Sequence, residues 1–105
     1  MKAFAVFFLM AAPAQALVCV AEEQCRGDAK TMCAPSTLRI EVTPEDRLWI
    51  DRQGPYAATR PQDGDTRVWT VEAFGGHALR VEPGGAFVYF GNRGKRFIGQ
   101  CEEAA

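Results

Sequence analysis

The sequence predicts an all-β domain: a small antiparallel meander of seven or eight strands, either a barrel or a two-sheet sandwich, stapled by two disulfides. Three observations carry that expectation. From Cys33 onward, short runs rich in β-branched, aromatic and aliphatic residues alternate with clusters of Gly, Pro, Asp and Asn, at turn spacings of roughly ten residues. Several of those runs alternate apolar and polar residues with period two, the mark of a half-buried strand. Four cysteines stand at positions 19, 25, 33 and 101, an even count in a short chain.

The chain opens with a segment set apart from the domain. Lys2 precedes an apolar stretch from Ala3 to Ala12, and Ala14-Gln15-Ala16 places small residues where a signal peptidase reads them. Residues 1–16 are therefore expected to be a secretory signal peptide, and 17–105 a single β domain. An apolar stretch of this length rises about 15 Å as a helix, half a hydrocarbon core. No run of apolar residues long enough for a transmembrane segment occurs elsewhere. Leu17 and Val18 are too bulky ahead of Cys19 to suit lipid attachment there. Such a leader implies a periplasmic or secreted protein.

Within the domain, Leu17–Ala21 is expected as an edge strand and Glu22–Ala34 as a segment holding a short helical turn. Thr37–Val42 alternates, with Leu38, Ile40 and Val42 on the inner face. Thr43-Pro44-Glu45-Asp46 turns the chain, since Pro44 pre-sets φ for a type I turn. Arg47–Asp51 returns with Leu48 and Ile50 inward, and Gln53-Gly54-Pro55 is read as a break. Tyr56–Arg60 is a weaker strand, followed by a turn at Pro61–Asp65. Thr66–Glu72 is a strong strand, with Trp69 in the core. Ala78–Glu82 faces Leu79 and Val81 inward. Pro83-Gly84-Gly85 turns into Ala86–Phe90, and Asn92-Arg93-Gly94 turns into Lys95–Cys101, where Phe97, Gly99 and Cys101 share one side. Glu102–Ala105 reads as a frayed tail.

Four cysteines permit three pairings, and spacing does not select among them. The pairing expected here is Cys19–Cys101 with Cys25–Cys33; Cys19–Cys25 with Cys33–Cys101 closes loops of nearly the same total entropy. No Cys-x-x-Cys occurs, so neither a thioredoxin-type dithiol nor a zinc ribbon is indicated. A mature domain of 89 residues buries only about 60–65% of its chain surface, so such cross-links matter to its stability.

Composition narrows the function. Twelve Lys and Arg stand against 13 Asp and Glu, a net charge of −1 that becomes −2 once Lys2 leaves with the leader. A nucleic-acid partner, which would reward a basic excess, is not expected. One His and one Ser supply little for nucleophilic catalysis. His77 reads as a loop histidine, Asp63-Gly64-Asp65 as a turn rather than a cation site, and the pairs Glu22-Glu23 and Glu102-Glu103 as solvated charge. No catalytic residue, metal ligand or cofactor is assigned, and the chain is not expected to be an enzyme. The binding candidates are Trp49 with Arg47, because an outward Trp beside Arg is a hot-spot composition. To these we add Arg93 and Arg96, which with Lys95 form a basic turn suited to an anionic partner.

The expected function is a small exported, non-catalytic binding or interaction module, monomeric or weakly oligomeric, meeting an unknown protein or envelope component. A small-ligand carrier is the alternative, opposed by the large side chains Leu38, Ile40, Leu79 and Phe87, which would fill a barrel of this size. In architecture and in the Cys19 and Cys101 positions the chain also resembles the bacterial periplasmic inhibitors of c-type lysozyme, small exported β-barrels with a disulfide from an N-terminal strand to the C-terminal end. Membership would imply lysozyme inhibition. The family's Ser-Gly inhibitory loop has no counterpart, since Ser36 precedes Thr37 and Gly84-Gly85-Ala86 carries no serine, so no inhibitory residue transfers.

Overall fold

The computed structural model describes residues 16–27, 32–60, 62–73 and 76–103. The signal-peptide reading of residues 1–16 therefore lies, but for Ala16, outside the described residues. The strands are β1 (Leu17–Arg26), β2 (Cys33–Pro35), β3 (Arg39–Val42), β4 (Arg47–Ile50), β5 (Gln53–Thr59), β6 (Gln62–Asp63), β7 (Thr66–Val71), β8 (Ala78–Val81), β9 (Ala86–Phe90) and β10 (Lys95–Glu103). Pairing runs β10-β9-β8-β7-β5-β4-β3-β1, and β1 pairs back onto β10. The result is a closed antiparallel barrel of eight strands, so the meander is a barrel and not a sandwich. Closure leaves its eight strands without open edges. β2 and β6 are short additions, on β1 and β7 respectively.

Alternation builds the core as the sequence implies. Ile40, Val42, Leu48, Trp69, Val71, Leu79, Val81, Phe87 and Tyr89 point inward and are buried. Their intervening neighbours Arg80, Ala86 and Phe90 are exposed. Asp46 N–H donates to the Thr43 carbonyl at 3.0 Å, closing the turn at Pro44. Burying nine such side chains supplies the main driving force for a domain this small.

Both disulfides join residues that sit directly opposite on antiparallel neighbours. Cys19 pairs with Cys101 across β1 and β10, and Cys25 with Cys33 across β1 and β2. The first locks the seam where the two ends of the chain close the barrel. Beside it, Gly99 faces Ala21. A Cβ on Gly99 would collide with the Val20 carbonyl oxygen and approach the Ala21 Cα to 2.8 Å, so the seam requires glycine there.

Four local expectations are corrected. Leu17–Ala21 is not an edge strand but the first half of β1, which pairs with β3 on one side and β10 on the other. Glu22–Arg26 is the second half of that strand, so the helical turn expected within Glu22–Ala34 is limited to the residues before β2, where Met32 is 3-10 helical and residues 28–31 lie outside the described residues; a bulge between Ala21 and Glu23 breaks the strand's alternation. Gln53-Gly54-Pro55 begins β5, and the bend instead falls at Asp51 and Arg52. Pro55 is tolerated because the β4–β5 ladder skips it, pairing Gln53 and then Tyr56. Glu102 and Glu103 belong to β10, opposite Val18 and Leu17, rather than to a frayed tail.

At one end of the barrel a polar depression of about 230 Å³ lies over a buried tryptophan. This residue, Trp69, is 3% exposed and lies among Leu17, Val42 and Pro44. Its Nε1–H donates to Asp46 Oδ1 at 2.8 Å. The Arg60 and Arg67 guanidinium carbons stand 5.3 and 5.8 Å from the ring centroid, and each arginine has an acid within reach: Asp46 at 3.9 Å and Glu103 at 3.6 Å.

Candidate functional site

The opposite end is open. It is ringed by the starts of β3, β5, β8 and β10 and the ends of β4 and β9, and it holds a cavity of about 310 Å³. Period two decides what lines it. On β10, Lys95 and Phe97 continue the inward face of Gly99 and Cys101; on β9, Tyr89 continues the face of Phe87. Leu38 and Ile50 form the apolar floor on the far side, with Tyr56 and Gln53 beside them. The large side chains Ile40, Leu79 and Phe87 do fill the interior, at 1% exposure or less. The cavity is therefore a mouth above a packed core, not a hollow barrel, and Leu38 belongs to its lining.

His77 anchors this mouth. The Val71 N–H donates to the His77 carbonyl at 3.0 Å and fixes the residue just ahead of β8. Its side chain, 9% exposed, places Nδ1 2.8 Å from the Tyr89 hydroxyl and Nε2 2.8 Å from Asn92 Oδ1. An amide oxygen only accepts, so Nε2–H donates to Asn92; in the neutral ring Nδ1 is then the acceptor, and the Tyr89 hydroxyl donates to it. The His77 and Tyr89 rings meet edge to face, 5.7 Å between centroids, and Tyr89 in turn leans on Phe97 at 6.2 Å. Burial, with a smaller contribution from Tyr56 nearby, pushes the Tyr89 phenol up to about 12. It remains a neutral hydroxyl at any physiological pH. The Tyr56 hydroxyl donates to Gln53 Oε1 at 3.3 Å.

The residues singled out from sequence do not form one patch. Trp49 lies on the outer face of β4 opposite Glu41, half-buried, with exposed Arg47 two positions earlier. Arg93, in a left-handed conformation (φ 57°), is exposed in the β9–β10 turn, and Arg96 alternates outward from Lys95 and Phe97. Strands β3 and β1 lie between the two groups, and Arg47 sits at the Trp69 end of β4 while Arg93 sits at the mouth. The basic turn is itself divided, because Lys95 enters the cavity and its two neighbours do not. Gly64 stands in the β6–β7 turn between paired Asp63 and Thr66. Glu22, Glu23, Glu102 and Glu103 are exposed. Glu23 lies close to Cys25 and Cys33, but those sulfurs are bonded to each other and offer no thiolate to a metal.

The mouth itself was not assigned from sequence. A signal existed: Tyr89 shares the inward face of Phe87, and a buried tyrosine needs a partner for its hydroxyl. The one histidine of the chain, at the start of the neighbouring strand, was the available partner.

Fold and site together define a class, the small disulfide-closed antiparallel barrel with a tryptophan buried at one end and an aromatic-lined cavity at the other. Compared with protein-family models, curated proteins and solved structures, the chain matches none of them.

Proposed function

We propose that this chain is a small exported, non-catalytic β domain that serves as a binding module, with the open mouth of the barrel as its ligand seat. The observation that carries the reading is the asymmetry of the two ends: the depression of about 230 Å³ over Trp69 has its charged groups matched by Asp46 and Glu103, whereas the other end keeps a cavity of about 310 Å³ with an apolar floor beside the His77–Tyr89–Asn92 network. That volume stands at the lower bound of small-molecule pockets, and an apolar floor with a few oriented polar groups is their usual composition. Export rests on the leader sequence and on two disulfides, which fit an oxidising compartment. Among the described residues no helix is long and apolar enough to cross a membrane. The non-catalytic reading rests on His77, whose ring nitrogens engage a phenol and an amide rather than a carboxylate and a nucleophile.

NMR of the purified protein, titrated with the small-molecule fraction of a cell-envelope extract, tests this. The His77, Tyr56 and Phe97 ring signals are expected to move while the Trp69 indole N–H stays in place. If the mouth stays silent and the Trp49 indole responds instead, the seat is on the outer face and the proposal fails.

A further inference from the structure

The hydrogen bonds inside the mouth leave a one-sided surplus. Asn92 Oδ1 accepts from His77, Gln53 Oε1 accepts from Tyr56, and His77 Nδ1 accepts from Tyr89. Three side-chain acceptors of the lining are thereby engaged in the protein's own network. Among the side chains of the lining, the donors not used in a hydrogen bond within the network are the amide NH₂ of Asn92, the amide NH₂ of Gln53 and the Lys95 ammonium. Among the described residues Lys95 makes no salt bridge, and no Asp or Glu lines the mouth. Just outside, a shallow depression shares Ile50 and Gln53 with the mouth and adds Arg39 and Arg52. Its one carboxylate, Asp51, accepts the Arg39 N–H at 3.0 Å. The floor meanwhile is apolar, formed by Leu38 and Ile50, with the Phe97 ring at the rim above it.

Building on the proposed seat, we infer that the mouth takes a small organic anion, a carboxylate carried on one apolar ring or short chain. The head group meets Lys95 and the two amide NH₂ groups, and the apolar body lies on Leu38, Ile50 and Phe97. A cavity of about 310 Å³ equals roughly ten waters at ~30 Å³ each, which suits a single-ring acid. A cationic ligand is disfavoured even though aromatic rings line the mouth, because it would meet the Lys95 charge with no acid to balance it.

Benzoate, benzamide and benzylammonium share one ring and differ in charge. Each is titrated to millimolar concentration into the purified protein, with the mouth ring signals read by NMR and the Trp69 indole N–H as the control for an intact fold. Benzoate is expected to bind about tenfold more tightly than benzamide, benzylammonium not to bind, and Lys95→Gln to remove the tenfold advantage, the effect of one charge-assisted hydrogen bond. Equal binding of benzamide, or preference for benzylammonium, overturns the anion inference and leaves the seat standing. A benzoate preference unchanged in Lys95→Gln overturns it too, since the charge would then not be read by that lysine. Silence of the mouth toward all three probes overturns both the inference and the seat.

Discussion

The two ends of the barrel use similar side chains to opposite effect. At the Trp69 end the aromatic ring is buried beneath a polar depression, its one donor is matched by Asp46, and the cations above it, Arg60 and Arg67, each have a carboxylate within 4 Å. At the open end the aromatic rings stand around the rim, and among the described residues no acid pairs with Lys95. A barrel of eight strands has an interior that side chains just fill, so space for a ligand arises only at its ends. What distinguishes one end from the other as a site is whether polar groups are matched by the protein or left for something else, since a matched set adds rigidity and an unmatched one favours a partner.

The largest test of that contrast is covalent. Cys19–Cys101 lies one inward step from the Trp69 end and closes 82 residues of chain; Cys25–Cys33 lies at the mouth end of β1 and closes 8. On loop-closure entropy the first stabilises by ~4.5 kcal/mol and the second by ~2.6 kcal/mol. Urea unfolding of Cys19→Ser/Cys101→Ser and of Cys25→Ser/Cys33→Ser should therefore rank in that order. Equal losses would mean that the seam carries no special weight. Next in size is the buried tryptophan. Trp69→Ala removes a nearly fully buried indole and should cost ~3–5 kcal/mol, whereas Phe97→Ala, at the half-buried rim, should cost less than half of that. Thermal denaturation of the two variants decides it, and a Phe97→Ala loss matching that of Trp69→Ala would make the mouth as much a part of the core as Trp69.

The strands were legible because period two survives wherever one face is core: Ile40 and Val42 on β3, Leu79 and Val81 on β8, and Trp69 inward on β7. Where the pattern was interrupted, so was the reading. Glu22, Glu23 and Gln24 look like a loop because a bulge shifts their register and they sit beside β2 rather than over the core. Glu102 and Glu103 look like a tail because both side chains reach solvent, although their backbone pairs with β1. The disulfide pairing agreed with expectation but could not be derived, since only the register brings Cys19 opposite Cys101. The site was hidden for a related reason. His77 meets Tyr89 and Asn92, 12 and 15 residues along the chain, and no local motif spans that distance. Trp49 and Arg47 announced themselves by composition, but composition says nothing of which end of the barrel a residue occupies.

The smallest of the expected effects isolates the mouth by pH. Tyr89 is raised from its ordinary 10 to about 12, by burial first and by Tyr56 second. A phenol is neutral when protonated, so between those values the folded state retains a proton that the unfolded chain has lost. Stability is thus full below pH 10, falls as the pH climbs toward 12, and levels off above that. The loss from this group amounts to roughly 2–3 kcal/mol. Other groups titrate in the same range, so the measurement is a difference: urea unfolding of wild type and Tyr89→Phe at stepped alkaline pH. At neutral pH the variant should be weaker by ~1 kcal/mol, because His77 Nδ1 loses its donor. That deficit should vanish and then reverse as the pH rises, because phenylalanine has no proton to lose. Trp69→Phe, at the end without a titrating ring, should follow the wild-type slope throughout. Parallel slopes for wild type and Tyr89→Phe would show that the Tyr89 hydroxyl is solvated rather than enclosed. The mouth would then lack the fixed wall on which its role as a binding site depends.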